Sequence, residues 1–216
     1  MINVLFSTVL YSNKLDIDTQ ALIKTIDEAR PPEKSFPSKN SSLNKVTNVK
    51  QEPLSDKSLY VLNETKYQEL KKIIDSEIKE YANNIMKYDA EFDITTSWFT
   101  KLSPKESSQY HRHSNSFLSG ILYLNVDDLS GDITFEDFQN DGITVPCTEY
   151  NTLNGKTYTI RPENGLILLF PSKLWHMVGH NNSKIERNSL AFNIMPVGTV
   201  GCPEADSHMK IKVIHD

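Results

Sequence analysis

Residues 161–178 read RPENGLILLFPSKLWHMV. The run 166–170 is the purest apolar stretch of the chain. It has strand length, far short of the roughly 18–20 residues that a membrane span requires. Asn164-Gly165 ahead of it is a turn signal, Pro171 closes it, and 175–178 reads as a second short strand. The same texture runs from Ile94 to the end. Residues 94–102, 117–125, 132–135, 157–160 and 189–195 are further short strands, and 210–214 suits an edge strand. Turn signals separate them at Ser130-Gly131, Asn140-Asp141-Gly142 and Asn154-Gly155. Many short strands at this spacing predict a sandwich, jelly roll or barrel.

Upstream the pattern changes. Residues 4–11 mix β-branched and aromatic side chains and predict a first strand. Asp16 or Asp18 can cap a helix that carries Leu22, Ile23, Ile26 and Ala29 on one face, and Pro31-Pro32 stops it. Residues 32–57 are rich in Ser, Lys, Asn and Pro and predict a flexible surface segment, with a lid as the functional alternative. Asn63 can cap a second helix. Its apolar stripe of Tyr67, Leu70, Ile74, Ile78, Tyr81 and Ile85 must lie against something flat, most simply a sheet. The expected fold class is mainly β with flanking helices (α+β). Residues 1–216 form a single domain, with a helix-rich part at 1–93 and a β core at 94–216.

The chain has 216 residues and a net charge of −5, from 23 Lys+Arg against 28 Asp+Glu. This balance argues against a nucleic-acid or membrane-surface binder that works by bulk charge. Cys147 and Cys202 make no CxxC and no disulfide framework. The first residues carry no basic cluster ahead of their apolar stretch, so they read as a strand rather than a leader. A cytoplasmic location is the expectation. The sequence is silent on oligomeric state and admits a homodimer.

The histidines carry the chemistry. His111 and His113 flank Arg112, and alternate residues of an extended segment share a face, so both imidazoles can converge. His176 comes from a strand far along the chain, and distant strands of a sandwich face one another. The three can form a cluster for iron, zinc, copper or nickel, and spacing alone does not choose among them. Arg187 opens the later strand of 189–195. An arginine at the start of a buried strand needs an anion, either a protein carboxylate or a ligand's. Trp98 and Trp175 read as core or pocket walls, His180 as a solvent-facing loop residue, and Asp132, Glu136 and Asp137 as a solvated acidic turn.

Five segments in this order resemble the 2-oxoglutarate- and Fe(II)-dependent oxygenases: LFSTVLY, HRHSNSFLSGILYLN, GDITFEDF, PENGLILLFPSKLWHMV and RNSLAFNIMP. The likeness is to a small microbial and phage-borne group with an HxH…SGxxYL pattern. It spans nearly the whole chain and implies a double-stranded β-helix, or jelly roll. In that superfamily the iron is held by HxD and a distal histidine. His111 matches the first ligand, His176 the distal one, and His113 stands where the carboxylate is usual. Three ligand sets follow: His111, His113 and His176 together; His113 as first ligand with Asn115 two residues on; or His111 and His176 with water or chloride. The first is the reading adopted. The resemblance places Arg187 and Ser189 at the far carboxylate of 2-oxoglutarate, with Tyr123 donating its phenol hydroxyl. The implied cofactors are Fe(II), 2-oxoglutarate as co-substrate, and O2. The implied reaction hydroxylates a small molecule or a peptidyl residue and releases succinate and CO2. The rivals are a three-histidine metal dioxygenase without co-substrate and a non-catalytic jelly-roll binding module.

Overall fold

The structure, a computed structural model, describes residues 7–28, 59–137, 145–202 and 206–214. The segment 32–57 expected to be flexible lies outside the described residues, as does the turn at 140–142. Nine strands and two α-helices are seen among the described residues. The strands are β1 (Tyr11–Lys14), β2 (Glu91–Leu102), β3 (Leu118–Asn125), β4 (Ile133–Glu136), β5 (Thr157–Ile160), β6 (Leu166–Pro171), β7 (Trp175–Val178), β8 (Arg187–Val200) and β9 (Met209–Ile211). One sheet has the order β1-β6-β3-β8-β2, with β9 on the far end of β8, and a smaller sheet has the order β5-β4-β7. Every named pairing is antiparallel. The expected jelly-roll arrangement, mainly β with flanking helices, is the one observed.

Helices α1 (Thr19–Glu28) and α2 (Gln68–Lys79) cover the outer face of the large sheet. Asp18 starts α1, its Oδ1 accepting the Ala21 N–H at 3.0 Å. Ile26 is buried, and Leu22 and Ile23 pack beside it. The α2 stripe of Leu70, Ile74 and Ile78, with Tyr67 before it and Tyr81 after, sits on Leu118, Leu122, Ile167, Leu190, Phe192 and Ile194. Each such aliphatic side chain contributes about 1.5–3 kcal/mol through burial. Two hydrogen bonds tie the chain before and within β1 to this helix and the turn that follows it. Tyr81 Oη donates to the Val9 carbonyl at 2.8 Å, and Tyr11 Oη donates to Glu77 Oε2 at 2.6 Å.

Three expectations need correction. The first strand is Tyr11–Lys14 and shares only Tyr11 with the expected 4–11; residues 7–10 are not strand, and 4–6 lie outside the described residues. Its sequence YSNK is polar because β1 is an edge strand paired only to β6. Asn63 does not cap α2. It ends a 3-10 turn (Val61–Asn63), and a second one (Thr65–Tyr67) leads into the helix, while Gln68 Nε2 donates back to the Leu62 and Asn63 carbonyls at 3.1 and 3.2 Å. Ile85 leaves the apolar stripe and is 47% exposed. A π-helical turn (Glu80–Ile85) follows α2, closed by Met86 N–H to the Tyr81 carbonyl at 2.9 Å. The wider turn rotates the register and buries Ala82 instead.

The inner face of the large sheet is ordered in rows. Ser119, Asn193 and Thr96 lie abreast on β3, β8 and β2, then Ile121, Ala191 and Trp98, then Tyr123, Ser189 and Thr100. A polar row, an apolar row and a polar row thus follow one another along the strands. Between Ser119 and Ile121, Gly120 belongs to the outer face. A Cβ there would stand 2.2 Å from the Phe192 ring and 2.9 Å from Leu169. Gly165 turns into β6 with φ 82°, and its backbone bridges the Leu15 N–H (2.9 Å) and the Tyr123 carbonyl (2.8 Å).

Candidate active site

The segment before β3 runs antiparallel to β7. Ser108 N–H meets the Val178 carbonyl at 3.0 Å, His111 and His176 exchange both backbone hydrogen bonds at 2.9 Å, and His113 N–H meets the Ser172 carbonyl at 3.0 Å. A reciprocally bonded antiparallel pair holds its two side chains next to each other on one face. The His111 and His176 ring centroids are accordingly 4.3 Å apart, and the His113 ring lies 5.4 Å from the first and 5.2 Å from the second. One ring nitrogen from each lies within 4.8 Å of the other two. The three histidines are therefore brought together, with His111 exposed, His113 half-buried and His176 buried. Asn115 is exposed in a left-handed turn with φ 57°.

Each Nδ1 is already engaged. His111 Nδ1 lies 2.8 Å from the Gln109 carbonyl, His176 Nδ1 lies 3.0 Å from the Leu174 carbonyl, and His113 Nδ1 lies 2.6 Å from Asn193 Oδ1. Those oxygens only accept, so each Nδ1 carries the proton and each Nε2 keeps its lone pair. Burial lowers the His113 pKa. For His176, burial first and the neighbouring His111 next lower it to about 3. Both rings are neutral at neutral pH, the state in which imidazole ligates. His176 is walled by Phe170 at 5.0 Å and Phe135 at 5.8 Å. Trp98 stands 5.8 Å from His113, and Trp175 carries Arg112 over its ring at 5.3 Å. His180 is an exposed loop residue.

Arg187, Ser189 and Tyr123 meet at the other end of the inner face. Arg187 is 1% exposed, and its guanidinium lies over the Tyr123 ring at 5.0 Å. Its Nη1 donates to Ser189 Oγ at 3.4 Å. Its Nε and Nη2, and the Tyr123 hydroxyl, are buried with no hydrogen-bond partner. Burial lowers the Arg187 pKa. It raises that of Tyr123 to about 12, against the opposing pull of the Arg187 charge. Leaving a buried donor unpaired costs about 1–3 kcal/mol, more for a charge. Donors of this kind are the ones that a ligand anion would satisfy.

Sequence reading missed Asn193, Ser119, Ser172 and Ser116, which back His113. The signal was present as polar letters at inward positions of otherwise apolar strands, Ser119 in LSGILYL and Asn193 in LAFNIM.

The donor set suits a divalent transition metal, iron among them, and three imidazole nitrogens leave other coordination positions for ligands. The orphaned guanidinium and phenol suit a carboxylate. Residues 96–193 match the family described as "Putative 2OG-Fe(II) oxygenase". Among curated proteins none matches the chain by sequence. Among solved structures, the chain is similar to HygX from Streptomyces hygroscopicus with nickel and 2-oxoglutarate bound. That match has 9% identity and TM-score 0.55, and covers 88% of this chain and 83% of that one. It is also similar to the viral collagen prolyl hydroxylase vCPH from Paramecium Bursaria Chlorella virus-1 in its 2OG complex. There the identity is 15% and the TM-score 0.53, covering 86% of this chain and 94% of that one. These likenesses show the jelly-roll fold. The matched segment, 96–193, carries every candidate site residue and is similar to the 2-oxoglutarate- and Fe(II)-dependent oxygenases.

Proposed function

We propose that the chain hydroxylates a small metabolite or a peptidyl residue, with His111, His113 and His176 holding Fe(II) and Arg187, Ser189 and Tyr123 holding the far carboxylate of 2-oxoglutarate. The observation that carries this reading is the set of partnerless buried donors at Arg187 and Tyr123, on the large sheet whose Asn193 holds His113 of the three converging histidines. The polar, apolar, polar order of the rows suits a ligand with a charged group at each end and methylenes between.

Bound iron, with 2-oxoglutarate and O2, supplies the oxidising power that converts a C–H bond to C–OH and releases succinate and CO2. The protein's own residues bind, orient and exclude water. His111, His113 and His176 would hold the metal through their Nε2 lone pairs. A neutral ligand set leaves the full metal charge uncompensated by protein, and the dianionic co-substrate offsets it. Arg187 can offer two parallel N–H groups to the far carboxylate, which sets its orientation. Phe135, Phe170 and Trp98 line the histidine end with apolar surface. His111 is the exposed member of the triad, so substrate approaches from its side.

The test is aerobic incubation with Fe(II) and 2-oxoglutarate. Succinate should form slowly even without the physiological substrate. Absence of succinate together with absence of 2-oxoglutarate binding would overturn the proposal.

A further inference from the structure

Behind His113 lies a line of polar groups that the proposed reaction does not use. Ser116 Oγ donates to the Leu118 carbonyl at 2.6 Å, and Ser172 Oγ donates to Ser116 Oγ at 2.9 Å. Ser119 and Ser172 hydroxyls are 2.7 Å apart, and Ser119 Oγ is 2.9 Å from His113 Nδ1 and 3.1 Å from Asn193 Oδ1. Asn193 Nδ2 donates to Thr96 Oγ1 at 3.0 Å, which turns its Oδ1 toward His113. Ser119 and Ser172 are fully buried.

Proton counting gives this line a direction. A carbonyl only accepts, so Ser116 spends its proton on Leu118. Ser172 then donates to Ser116. Ser119 has one proton for Ser172, Asn193 or His113, but Asn193 Oδ1, 2.6 Å from the same ring nitrogen, has none to give. With the His113 proton directed at Asn193, the Ser119 oxygen also faces the ring as an acceptor. The amide oxygen at 2.6 Å would repel a bare ring nitrogen. His113 Nδ1 must be the donor.

We infer that Ser119 and Asn193, backed by Ser172, Ser116 and Thr96, are positioning residues that fix His113 as a neutral ligand through Nε2. They do so in the place where the related oxygenases carry a carboxylate. The inference rests on His113 being a metal ligand, as proposed above. The register supplies the device, because Ser119, Asn193 and Thr96 are neighbours across three strands. An N–H donor fits the two acceptors, whereas a carboxylate at position 113 would face oxygen with oxygen. The other two ligands use single backbone carbonyls for the same purpose. Only His113, which lacks such a carbonyl, is held by side chains.

Ring-nitrogen NMR on the metal-free protein, with His113 assigned by its loss in His113→Gln, reads the tautomer directly. Co(II) titration followed by its visible spectrum reads the ligand set. The wild type should show a protonated Nδ1 and a bare Nε2. Asn193→Leu should give mixed tautomers and a Co(II) affinity lower by roughly 10–100-fold, the range that loss of an outer partner costs. Ser119→Ala, a smaller change that keeps the fold, should shift both in the same direction by less. Asn193→Asp retains an acceptor and should restore the wild-type tautomer and most of the affinity. Wild-type tautomer and affinity in both Asn193→Leu and Ser119→Ala would overturn the inference. If His113→Ala itself leaves Co(II) binding unchanged, the ligand assignment falls and the positioning role falls with it. Loss in His113→Ala beside wild-type binding in Asn193→Leu overturns the positioning role alone.

Discussion

The two ends of the inner face differ in their state of completion. At the histidine end every Nδ1 has its acceptor, and the two backbones that carry His111 and His176 are bonded to each other. At the arginine end a buried cation and a buried phenol have donors with nowhere to go. The first end is finished before any ligand arrives, and its loss-of-function variants should act through the metal. On the proposed reading a ligand completes the second, so variants there should have opposite effects on the empty and the loaded protein.

The largest effect is expected from His176→Ala. Removing a buried ligand should cost more than the roughly 10–100-fold attached to an outer partner, and calorimetric Co(II) titration should show no measurable binding. Next comes Arg187→Met. 2-Oxoglutarate affinity should fall by about 1.5–3 kcal/mol or more, roughly 10–150-fold in Kd, while metal affinity stays within a factor of two or so. In the absence of ligand the same variant should melt higher, because an unpaired buried charge has been replaced by apolar volume. Equal loss of metal and co-substrate, or a lower unliganded melting temperature, would break the contrast between the two ends. Tyr123→Phe should repeat the pattern on a smaller scale, with about a tenfold loss of 2-oxoglutarate affinity or less and a small gain in unliganded stability by thermal melt. Ser189→Ala should do least. Its contact with Arg187 is long at 3.4 Å, so 2-oxoglutarate binding should weaken by under about 1 kcal/mol in isothermal titration.

Much of this was legible in the letters, and the failures have physical causes. Strands at 157–160 and 175–178 agree to the residue, because turn signals or Pro and Gly bracket them closely. The α2 stripe was legible as far as Tyr81, where helical geometry holds, and failed at Ile85, where a π-turn changes the residues per turn. β1 was misplaced because an edge strand needs no apolar alternation, and YSNK has none. At the site, His111, His113, His176, Arg187, Ser189 and Tyr123 are chemically distinctive letters, and they fall into two clusters, the histidines and the group around Arg187. Asn193 and Ser119 are ordinary letters. Their meaning comes from the register Ser119↔Asn193, which joins residues far apart in the chain and which no local pattern encodes.

Gly120 has a consequence for how changes in this region would show themselves in cells. Ser119 and Gly120 are adjacent in the chain but answer to opposite faces of one strand. A substitution at 119 leaves the packing of Phe192 and Leu169 alone and alters the surroundings of His113, so it should yield abundant, folded, poorly loaded protein. A substitution at 120 pushes a side chain into the Phe192 ring and wedges the large sheet away from its helices, so it should yield little protein at all. Expression level and metal content, measured on a library across these two positions, would therefore separate cleanly, with each position failing in its own way.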